Sequence, residues 1–487
     1  MDKAFHFAIP SIEWSALLPI LIVALTGICA FVVEMFQPKR ENSLIVGISI
    51  GGLILAAVSL FLQMEQPVFA TAGDLLLRDP FGTAIEWILL VASALTILFS
   101  DSYLKEKRIP FGEFYPLVLW STVGAMIMST TTNLLVIFVG LEILSVSLYV
   151  MAGMSRSEEK SEESALKYFL LGAFASGFLL YGIAFVYGAT GGLDLDFVAA
   201  ILAQHSGSTK VMLLFGLAMM LIGLGFKTSL APFHQWTPDV YQGAPTNVTA
   251  FMAAASKVGA FAALWRVLAA FAVLGNYWVP VVSVLAVLTM FVGNFAALVQ
   301  KDVKRILGYS SIANAGYLLI AVLAHAKDFH LGMNTVVYFL LSYTLMTVGA
   351  FAVVSLGAKS GTEGTRLEDL NGMWRRSPLA AVALVVFMAS LIGIPPTAGF
   401  VGKFLLFFDA LKTGMWPLAL VLAVNSVISV YYYLGIARAA FVEDQDEKGT
   451  RLAKLSPGIS SVCVICIAGI FGIAIFYSPI ATFLAGK

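Results

Sequence analysis

Five charged residues lie within long apolar stretches of this sequence. In chain order they are Glu142, Lys167, Lys227, Lys257 and Lys403. A charge at the centre of a helix in lipid costs about 2.5 to 3.5 kcal/mol even on the gentler insertion scales. Each of these side chains is therefore expected to face protein or water, and together they are the first candidates for a functional site.

These residue types suit proton transfer. Burial disfavours the charged ammonium form of a lysine, so a buried lysine can gain and lose a proton near neutral pH. At roughly 7 Å and an effective dielectric near 20, a carboxylate–ammonium pair contributes about 2.4 kcal/mol. Moving one proton against a membrane potential of roughly 150 mV costs about 3.5 kcal/mol. This cost is comparable to the energy of the charge pair. Making and breaking a pair of Glu142 with Lys227, together with a change in hydration, would then drive a proton along the lysines.

A structural interpretation of the same charges stays open. Long lysine side chains can reach the membrane interface, which fits Lys167 because it lies nearer one end of its apolar stretch. Others could form static salt bridges. A static pair of Glu142 with Lys227 would leave Lys257 and Lys403 without acidic partners, so this interpretation covers only part of the set.

The composition predicts the elements that hold these charges. Of 487 residues, 59% are hydrophobic and 12% are charged, which is about half the charged share of an ordinary soluble domain. At roughly 20 residues per span, the apolar content supplies about 14 membrane helices. The 29 basic residues balance the 29 acidic ones, so no basic excess attracts nucleic acid. The sequence predicts an all-α polytopic protein within a lipid bilayer, with no separate soluble catalytic domain.

Apolar runs bounded by charged or turn residues predict fourteen spans. They run roughly from 15 to 36, 43 to 64, 82 to 100, 114 to 131, 133 to 154, 164 to 189, 211 to 237, 245 to 273, 278 to 300, 306 to 324, 332 to 357, 378 to 411, 415 to 441 and 458 to 484.

The loop charges predict the orientation. The loops after odd-numbered spans contain most of the cations: Lys39, Arg40, Lys105, Lys107, Arg108, Arg156, Lys160, Lys301, Lys304, Arg305, Lys359, Arg366, Arg375, Arg376, Lys448, Arg451 and Lys454. The other loops contain only Arg78, Lys210, Lys327 and Lys412. By the positive-inside rule the odd-numbered loops are cytoplasmic. With an even number of spans, both termini are predicted on the outer, periplasmic side.

Two spans contain internal prolines and are expected to be broken helices. Pro232 and Pro238 interrupt the seventh span, and Pro395 and Pro396 interrupt the twelfth. Proline removes a backbone hydrogen bond and blocks the carbonyl four residues earlier. The freed groups need protein or water around them. Paired breaks five spans apart are typical of inverted-repeat transporters, whose ion path lies at the breaks.

Three stretches together resemble a known family. They are GFKTSLAPFHQWTPDVYQGAPT at 225–246, KDVKRILGYSSI at 301–312 and IPPTAGFVGK at 394–403. This sequence is similar to the antiporter-like subunits of respiratory complex I, a family shared with multisubunit cation/proton antiporters. Within it, the segment 244–261 most resembles subunit N of bacterial NADH-quinone oxidoreductase, and lysine at Lys403 differs from the glutamate usual in subunit M.

The resemblance implies the roles of the buried charges. Glu142, Lys227, Lys257 and Lys403 match the family's proton-transfer positions, and Lys167 matches a further family lysine. It also implies that the chain itself holds no cofactor, metal or redox centre. NADH, FMN, iron–sulfur clusters and quinone are then expected in partner subunits. The implied partners are other membrane-arm subunits, including another antiporter-like one, in the bacterial inner membrane.

The resemblance also implies a domain organisation. A three-helix segment at 1–113 precedes an inverted repeat of helices 4 to 8 at 114–275. A second repeat, helices 9 to 13, follows at 276–441, and helix 14 at 442–487 ends the chain. The two repeats contain broken helices 7 and 12.

The remaining polar residues allow plainer interpretations. His234 in the first break could relay protons or bond freed carbonyls. His325 and His330 are expected to be solvated, and Glu86 and Asp409 to reach the interface near span ends. The two cysteines of the CVIC motif at 463–466 lack a basic neighbour or further ligand, so they are expected to be small buried apolar groups.

Other functions remain open beside a proton-translocating subunit of NADH-quinone oxidoreductase. One is a subunit of a sodium/proton antiporter, with no redox partner. Another is a scaffold that holds the membrane arm without pumping. A membrane-bound hydrogenase subunit is a close relative of the main hypothesis.

Overall fold

The computed structural model describes residues 12–38, 41–64, 68–73, 75–204, 208–358, 362–441 and 455–477. Both chain ends, half of the predicted domain 442–487, and the loop cations Lys39, Arg40, Lys359, Lys448, Arg451 and Lys454 lie outside these ranges.

The described chain is built almost entirely of helices. They are α1 (Trp14–Phe36), α2 (Ser43–Phe61), α3 (Pro80–Lys107), α4 (Phe114–Ser129), α5 (Leu134–Ala152), α6 (Glu159–Thr190), α7 (Leu195–Gln204), α8 (Ser208–Thr228), α9 (Trp236–Gly243), α10 (Thr246–Phe251), α11 (Lys257–Ala270), α12 (Gly275–Leu298), α13 (Val303–Lys327), α14 (Met333–Val354), α15 (Met373–Arg376), α16 (Pro378–Ile392), α17 (Ala398–Lys412), α18 (Trp416–Phe441) and α19 (Pro457–Ile475). A short antiparallel hairpin joins β1 (Phe69–Thr71) and β2 (Leu76–Arg78).

The predicted fold class is confirmed. Twelve helical segments among the described residues are long and apolar enough to cross a membrane. The fourth predicted span is the shorter α4, and the twelfth is divided into α16 and α17. The number fourteen, the inverted repeats and the domain boundaries stay predictions. Helix α7 and the β1–β2 hairpin were not predicted, because both are too short to give a span-length apolar signal.

Burial separates central from peripheral helices. The most apolar window of the segment at 246–270, which is made of α10, a π-helical turn and α11, is completely buried within the chain, and the corresponding windows of α13 and α14 are 94% buried. The corresponding windows of α1 and α19 are only 33% and 28% buried. A peripheral helix with so much exposed apolar surface suits a lipid environment, whereas the central helices can hold polar groups away from lipid.

The first helix break lies between α8 and α9. Phe226 O at the end of α8 accepts a hydrogen bond from the Trp236 indole at 2.8 Å. The backbone N–H of Ala231 donates to Thr289 Oγ1 of α12 at 2.9 Å. The break is therefore supplied with protein partners, as a buried irregular segment requires. Pro232 lies within it, but the prediction for Pro238 was wrong: Pro238 lies in the first turn of α9, where no intrahelical N–H bond is lost.

The second break lies between α16 and α17 and contains Pro395 and Pro396. Helix α16 ends at Ile392 and is followed by Gly393, whose positive φ of 92° suits a residue without a Cβ. Close packing between the two halves depends on Gly399 at the start of α17. A Cβ there would lie 1.8 Å from the carbonyl oxygen of Ser390. The two half-helices can approach this closely only with glycine at position 399.

Replacing Gly399 with alanine should separate the halves of the broken helix. We expect Gly399→Ala to lower the unfolding free energy by about 1 to 3 kcal/mol through overpacking, measured as a lower Tm of the purified complex. Gly435→Ala on α18 is the matched control, because a Cβ added there would have no atom of another residue within 4 Å. Equal Tm values for the two variants would contradict the prediction.

Four charged side chains on the predicted cytoplasmic side form a buried cluster that the sequence did not reveal. Glu363 forms ion pairs with Lys107 at 2.9 Å and with Lys304 at 3.3 Å. Lys107 also pairs with Glu158. We call these four residues the Glu363 cluster. It joins α3, α13 and the loops before α6 and α15, which are segments far apart in the chain.

The Glu363 cluster also holds the start of α10. Glu363 Oε2 accepts a hydrogen bond from Thr246 Oγ1 at 2.5 Å, and Oε1 accepts one from Tyr103 OH at 2.6 Å. Tyr103 OH in turn accepts the backbone N–H of Thr246 at 2.9 Å. A carboxylate at a helix N-terminus is electrostatically favourable. The cluster therefore fixes the end of the helical segment that leads to Lys257.

The charge of Glu363 should be permanent across physiological pH. Burial alone raises its pKa, but Lys304 and Lys107 outweigh burial and lower the pKa from about 4.5 to about 2. A lowered carboxyl pKa stabilises the fold above the unfolded value and loses that effect as pH falls toward the folded value. We expect Glu363→Gln to cost about 3 to 5 kcal/mol of stability, because it leaves the buried ammonium group of Lys304 without a carboxylate, whereas Lys107 keeps Glu158.

Thermal unfolding of the complex at several pH values checks the predicted stability loss of Glu363→Gln and its dependence on pH. The Tm difference between Glu363→Gln and the native chain should be constant from pH 5 to 9 and shrink below about pH 4.5. Glu368→Gln, at an exposed position of the same loop, is the control. A Tm difference that instead changes between pH 6 and 8 would show that the cluster titrates.

Candidate functional site

Lys227 is buried at the end of α8 and is surrounded by hydroxyl groups and aromatic rings. Its side chain is 4% exposed. Nζ donates to Ser145 Oγ at 2.7 Å and to Tyr168 OH at 2.9 Å. It also lies 5.0 Å from the Tyr168 ring centroid and 5.8 Å from that of Tyr149. These neutral groups replace part of the hydration shell of an ammonium ion.

Glu142 lies one helical turn before Ser145 on α5. Its carboxylate interacts electrostatically with Lys227, but the two do not form a contact ion pair among the described residues. Glu142 Oε1 is buried without a hydrogen-bond partner in that part of the chain. The predicted neighbours are thus brought together, with Ser145 bonded to the ammonium in place of the carboxylate.

A small cavity adjoins Lys227. Its volume is about 10 Å³, and its lining includes Ser145 of α5, Ser176 of α6 and Gly223 of α8. A cavity needs roughly 10 to 15 Å³ to hold one water molecule. The space beside the ammonium is therefore at the lower limit for a single water with polar partners.

Lys257 occupies the centre of the bundle and is 2% exposed. It follows the π-helical turn Met252–Ser256, a distortion that is frequent at functional sites. Nζ donates to the backbone carbonyl and the hydroxyl of Ser311 on α13. The Tyr343 ring centroid lies 5.5 Å away. No carboxylate pairs with this lysine in the described ranges.

Lys403 uses the second helix break directly. Its Nζ donates at 2.9 Å to the carbonyl oxygen of Ile392, the last residue of α16. The C-terminal end of a helix carries partial negative charge, so it favours an ammonium group. The Tyr317 ring centroid lies 5.2 Å from Nζ. The break therefore supplies the acceptor for this lysine, and no acidic partner is seen within the described chain.

Lys167 is separate from the buried Lys227 and Lys257 and from the partly buried Lys403. Its side chain is 41% exposed and pairs with Glu163 at 2.6 Å and Asp239 at 2.9 Å. Asp239 also pairs with Arg305 at 2.6 Å. Lys167 thus belongs to an ion-pair group on the protein surface, and the structure does not bring it together with Lys227.

Several of the plainer sequence interpretations need correction. Glu86 is fully buried and pairs with Arg78, and Asp409 is buried and accepts from Thr335 Oγ1 at 2.6 Å; neither reaches the interface. His325 is half-buried against the Trp265 ring at 4.3 Å. These errors have the same cause: the partners that bury these side chains are brought to them by tertiary packing, which local sequence does not show.

The other polar residues agree better with the sequence. His330 is exposed, and Cys463 and Cys466 are completely buried, as expected. His234 lies in the first break, half-buried, and interacts with the backbone of Pro232. Among the described residues, no three His, Cys, Asp or Glu side chains form a group that could hold a metal ion.

Sequence reasoning missed the hydroxyl groups around the lysines. Ser145 could have been found from its position one turn after Glu142 on an apolar helix. Ser311 lies inside the GYSS segment of a motif that the sequence analysis singled out. Tyr168, Tyr317 and Tyr343 carry no such signal, because apolar helices commonly contain buried tyrosines.

The chain is similar to known membrane proteins over most of its length. Residues 131–429 match the family described as NADH:quinone oxidoreductase/Mrp antiporter, transmembrane. NADH-quinone oxidoreductase subunit N of Trichlorobacter lovleyi is 42% identical over 439 residues, which cover 90% of this chain and 89% of the relative. Subunit N 1 of Herpetosiphon aurantiacus is 40% identical over 474 residues, covering 96% and 95%.

Two solved structures are similar over nearly the whole chain. A chain of respiratory complex I from Thermus thermophilus with bound aureothin gives a TM-score of 0.82 at 36% identity, covering 96% of this chain and 100% of that one. A chain of the Mrp complex from a Dietzia species gives 0.84 at 20% identity, covering 98% and 97%, and this likeness concerns the fold alone. The chain belongs to the NADH:quinone oxidoreductase/Mrp antiporter membrane family, within the group named NADH-quinone oxidoreductase subunit N.

Proposed function

We propose that this chain is a proton-translocating membrane-arm subunit of NADH-quinone oxidoreductase in the bacterial inner membrane. The observation that carries the proposal is the solvation of Lys227, Lys257 and Lys403 by hydroxyls and carbonyls instead of contact carboxylates. An ammonium group held in this way can lose its proton without leaving an uncompensated buried anion behind.

The scaffold alternative is less well supported. The Glu363 cluster illustrates a static arrangement, because Lys107 and Lys304 each pair directly with a carboxylate. If the three central lysines were equally static, contact pairs of that kind would be expected for them too. Their neutral surroundings favour a role in which protonation changes.

The sodium/proton antiporter alternative rests on the fold alone. The Dietzia Mrp chain is only 20% identical, whereas the Trichlorobacter subunit N is 42% identical. If this chain is a subunit of NADH-quinone oxidoreductase, NADH oxidation and quinone reduction take place in neighbouring subunits. NADH, FMN, iron–sulfur clusters and quinone then belong to those partners, and another antiporter-like subunit is a membrane-arm neighbour.

The proposed order of events follows the positions of the charges. Glu142 and Lys227 form the switching pair: approach of the carboxylate favours the charged lysine, and separation favours proton release. Lys257 is the connecting relay, and Lys403 is the terminal group toward the outer side. His234 is a possible additional relay at the first break. Both termini are proposed to face the periplasm, which follows from the positive-inside rule.

Replacing Lys227 with alanine should abolish most pumping. A positioned proton-transfer group contributes about 10²-fold to 10⁴-fold. We therefore expect Lys227→Ala to reduce NADH-driven acidification of inverted membrane vesicles about 10²-fold or more, with NADH-quinone turnover falling in the same sample because the two are coupled. Assembly is checked by the amount of complex in the membrane.

Lys210→Ala, near the start of the same helix and against the Tyr277 ring, is the matched control and should pump normally. Full pumping by assembled Lys227→Ala would refute the proposed role. Loss of sodium extrusion with unchanged NADH turnover would assign the chain to an antiporter.

Replacing Lys167 should have a smaller effect. Lys167 is exposed and shares Asp239 with Arg305. Exposed ion pairs of this kind contribute about 0 to 1 kcal/mol. We expect Lys167→Gln to lower acidification no more than about fivefold, which corresponds to about 1 kcal/mol. A loss as large as that of Lys227→Ala, in vesicles with equal amounts of complex, would instead make Lys167 an essential proton-transfer group.

A further inference from the structure

A buried group of amides and phenols joins α12, α13 and α18. At its centre is Asn294, which is fully buried. Asn294 Nδ2 donates to Tyr317 OH at 3.0 Å and to Asn425 Oδ1 at 2.9 Å. Asn294 Oδ1 accepts from Tyr432 OH at 2.9 Å. We call these four residues the Asn294 hub. The sequence analysis did not single out any of them.

One side of the hub reaches Lys403. Tyr317 bonds Asn294 through its hydroxyl, and its ring centroid lies 5.2 Å from Lys403 Nζ. The phenol hydroxyl and the ring face thus contact different partners. Because a hydrogen bond at the hydroxyl limits rotation and tilt of the ring, Asn294 fixes the aromatic face against which the ammonium lies.

The other side of the hub leads toward Lys257. Lys257 bonds Ser311, and the preceding residue on α13, Ser310, shares a hydrogen bond of 2.5 Å with Tyr433 OH. Tyr433 is the chain neighbour of Tyr432, and their ring centroids are 4.4 Å apart. Two of the steps along this route therefore join side chains of consecutive residues, and the remaining ones are hydrogen bonds.

We propose that Asn294 is a positioning residue for proton transfer between Lys257 and Lys403. This inference rests on the proposed function. Hydroxyl groups are both donors and acceptors, so each can accept a proton on a lone pair while releasing its own, and none keeps a net charge. An amide is a poor proton carrier but has separate donor and acceptor atoms. Asn294 therefore orients the phenols of Tyr317 and Tyr432 without itself taking up the proton.

The burial of the hub makes this orientation specific. Asn294 and Asn425 are 0% exposed, and Tyr317 and Tyr432 are 1% and 5% exposed. Hydrogen bonds between polar groups as deeply buried as these polarise one another, so each bond in such a network depends on the others. A purely structural role for Asn294 would explain the burial equally well. The structural role and the positioning role differ in one respect: only the positioning role makes proton transfer the step that limits turnover when the amide is removed.

The test uses the complete complex in inverted membrane vesicles with Asn294→Leu, which keeps a similar volume but cannot form hydrogen bonds. We expect NADH-driven acidification and NADH-quinone turnover to fall about tenfold, the equivalent of one lost hydrogen bond to a positioned group. The solvent deuterium isotope effect on both rates should increase, because proton transfer becomes the slow step. Tyr317→Phe keeps the ring and removes only the hydroxyl, which is one of the groups proposed to carry the proton, so it should give at least as large a decrease with the same increase in isotope effect.

Trp278→Phe is the matched control. It removes another buried hydrogen bond on α12, from the indole to Phe271 O at 2.9 Å, and should leave the isotope effect unchanged. A decrease in rate for Asn294→Leu without a change in isotope effect would overturn the proposal in favour of a structural role. Native rates in the assembled variant would overturn it as well. If Asn294→Leu does not assemble, native behaviour of Tyr317→Phe overturns it.

Lys403→Met separates this inference from the function on which it rests. If Lys403→Met pumps normally, the proposed function fails. If Lys403→Met is defective while Asn294→Leu has native rates and a native isotope effect, only the positioning role of Asn294 fails. If both are defective and Asn294→Leu also shows the increased isotope effect, both proposals are supported.

Discussion

The solvation of buried ammonium groups is the constraint on which the rest of the structure depends. Lipid offers no hydrogen-bond partners, so each central lysine needs acceptors supplied by protein. Lys227 is bonded by Ser145 and Tyr168, and Lys257 by Ser311. Contact carboxylates would solvate these groups more strongly, but they would also hold the proton. Neutral acceptors keep the charged form possible without making it obligatory.

The second helix break provides such an acceptor for Lys403. A regular helix uses its carbonyl groups internally, but the break after α16 leaves the carbonyl of Ile392 free for Lys403. The break after α8 and the π-helical turn before Lys257 occur at corresponding points beside the other two lysines. The irregular backbone is stable because central helices surround it, so the burial of α11, α13 and α14 is a condition for the function.

The sequence predicts the part of the site that depends on residue type and local pattern. Charges within apolar runs identify Lys227, Lys257 and Lys403, and prolines predict both breaks. The partners could not be predicted, because Ser311 and Tyr317 meet these lysines only through tertiary packing. The Glu363 cluster joins residues up to 256 positions apart, from Lys107 to Glu363. Apolar periodicity did not reveal the short helix α7, and it did not show that Pro238 lies inside a new helix instead of in the break. Such patterns locate long apolar runs but not short elements or exact helix ends.

Permanent and changeable charges occupy different places in this chain. The Glu363 cluster pairs each ammonium with a carboxylate and fixes the start of α10. The helical segment that begins there continues to Lys257, which has only neutral partners among the described residues. Rigid ion pairs at one end can keep the lysine in register with Ser311 while its own charge varies. If Lys257 had a contact carboxylate, the same rigidity would hold its proton in place. Under the proposed function, the separation of the two kinds of charge therefore makes a buried relay compatible with a stable membrane fold.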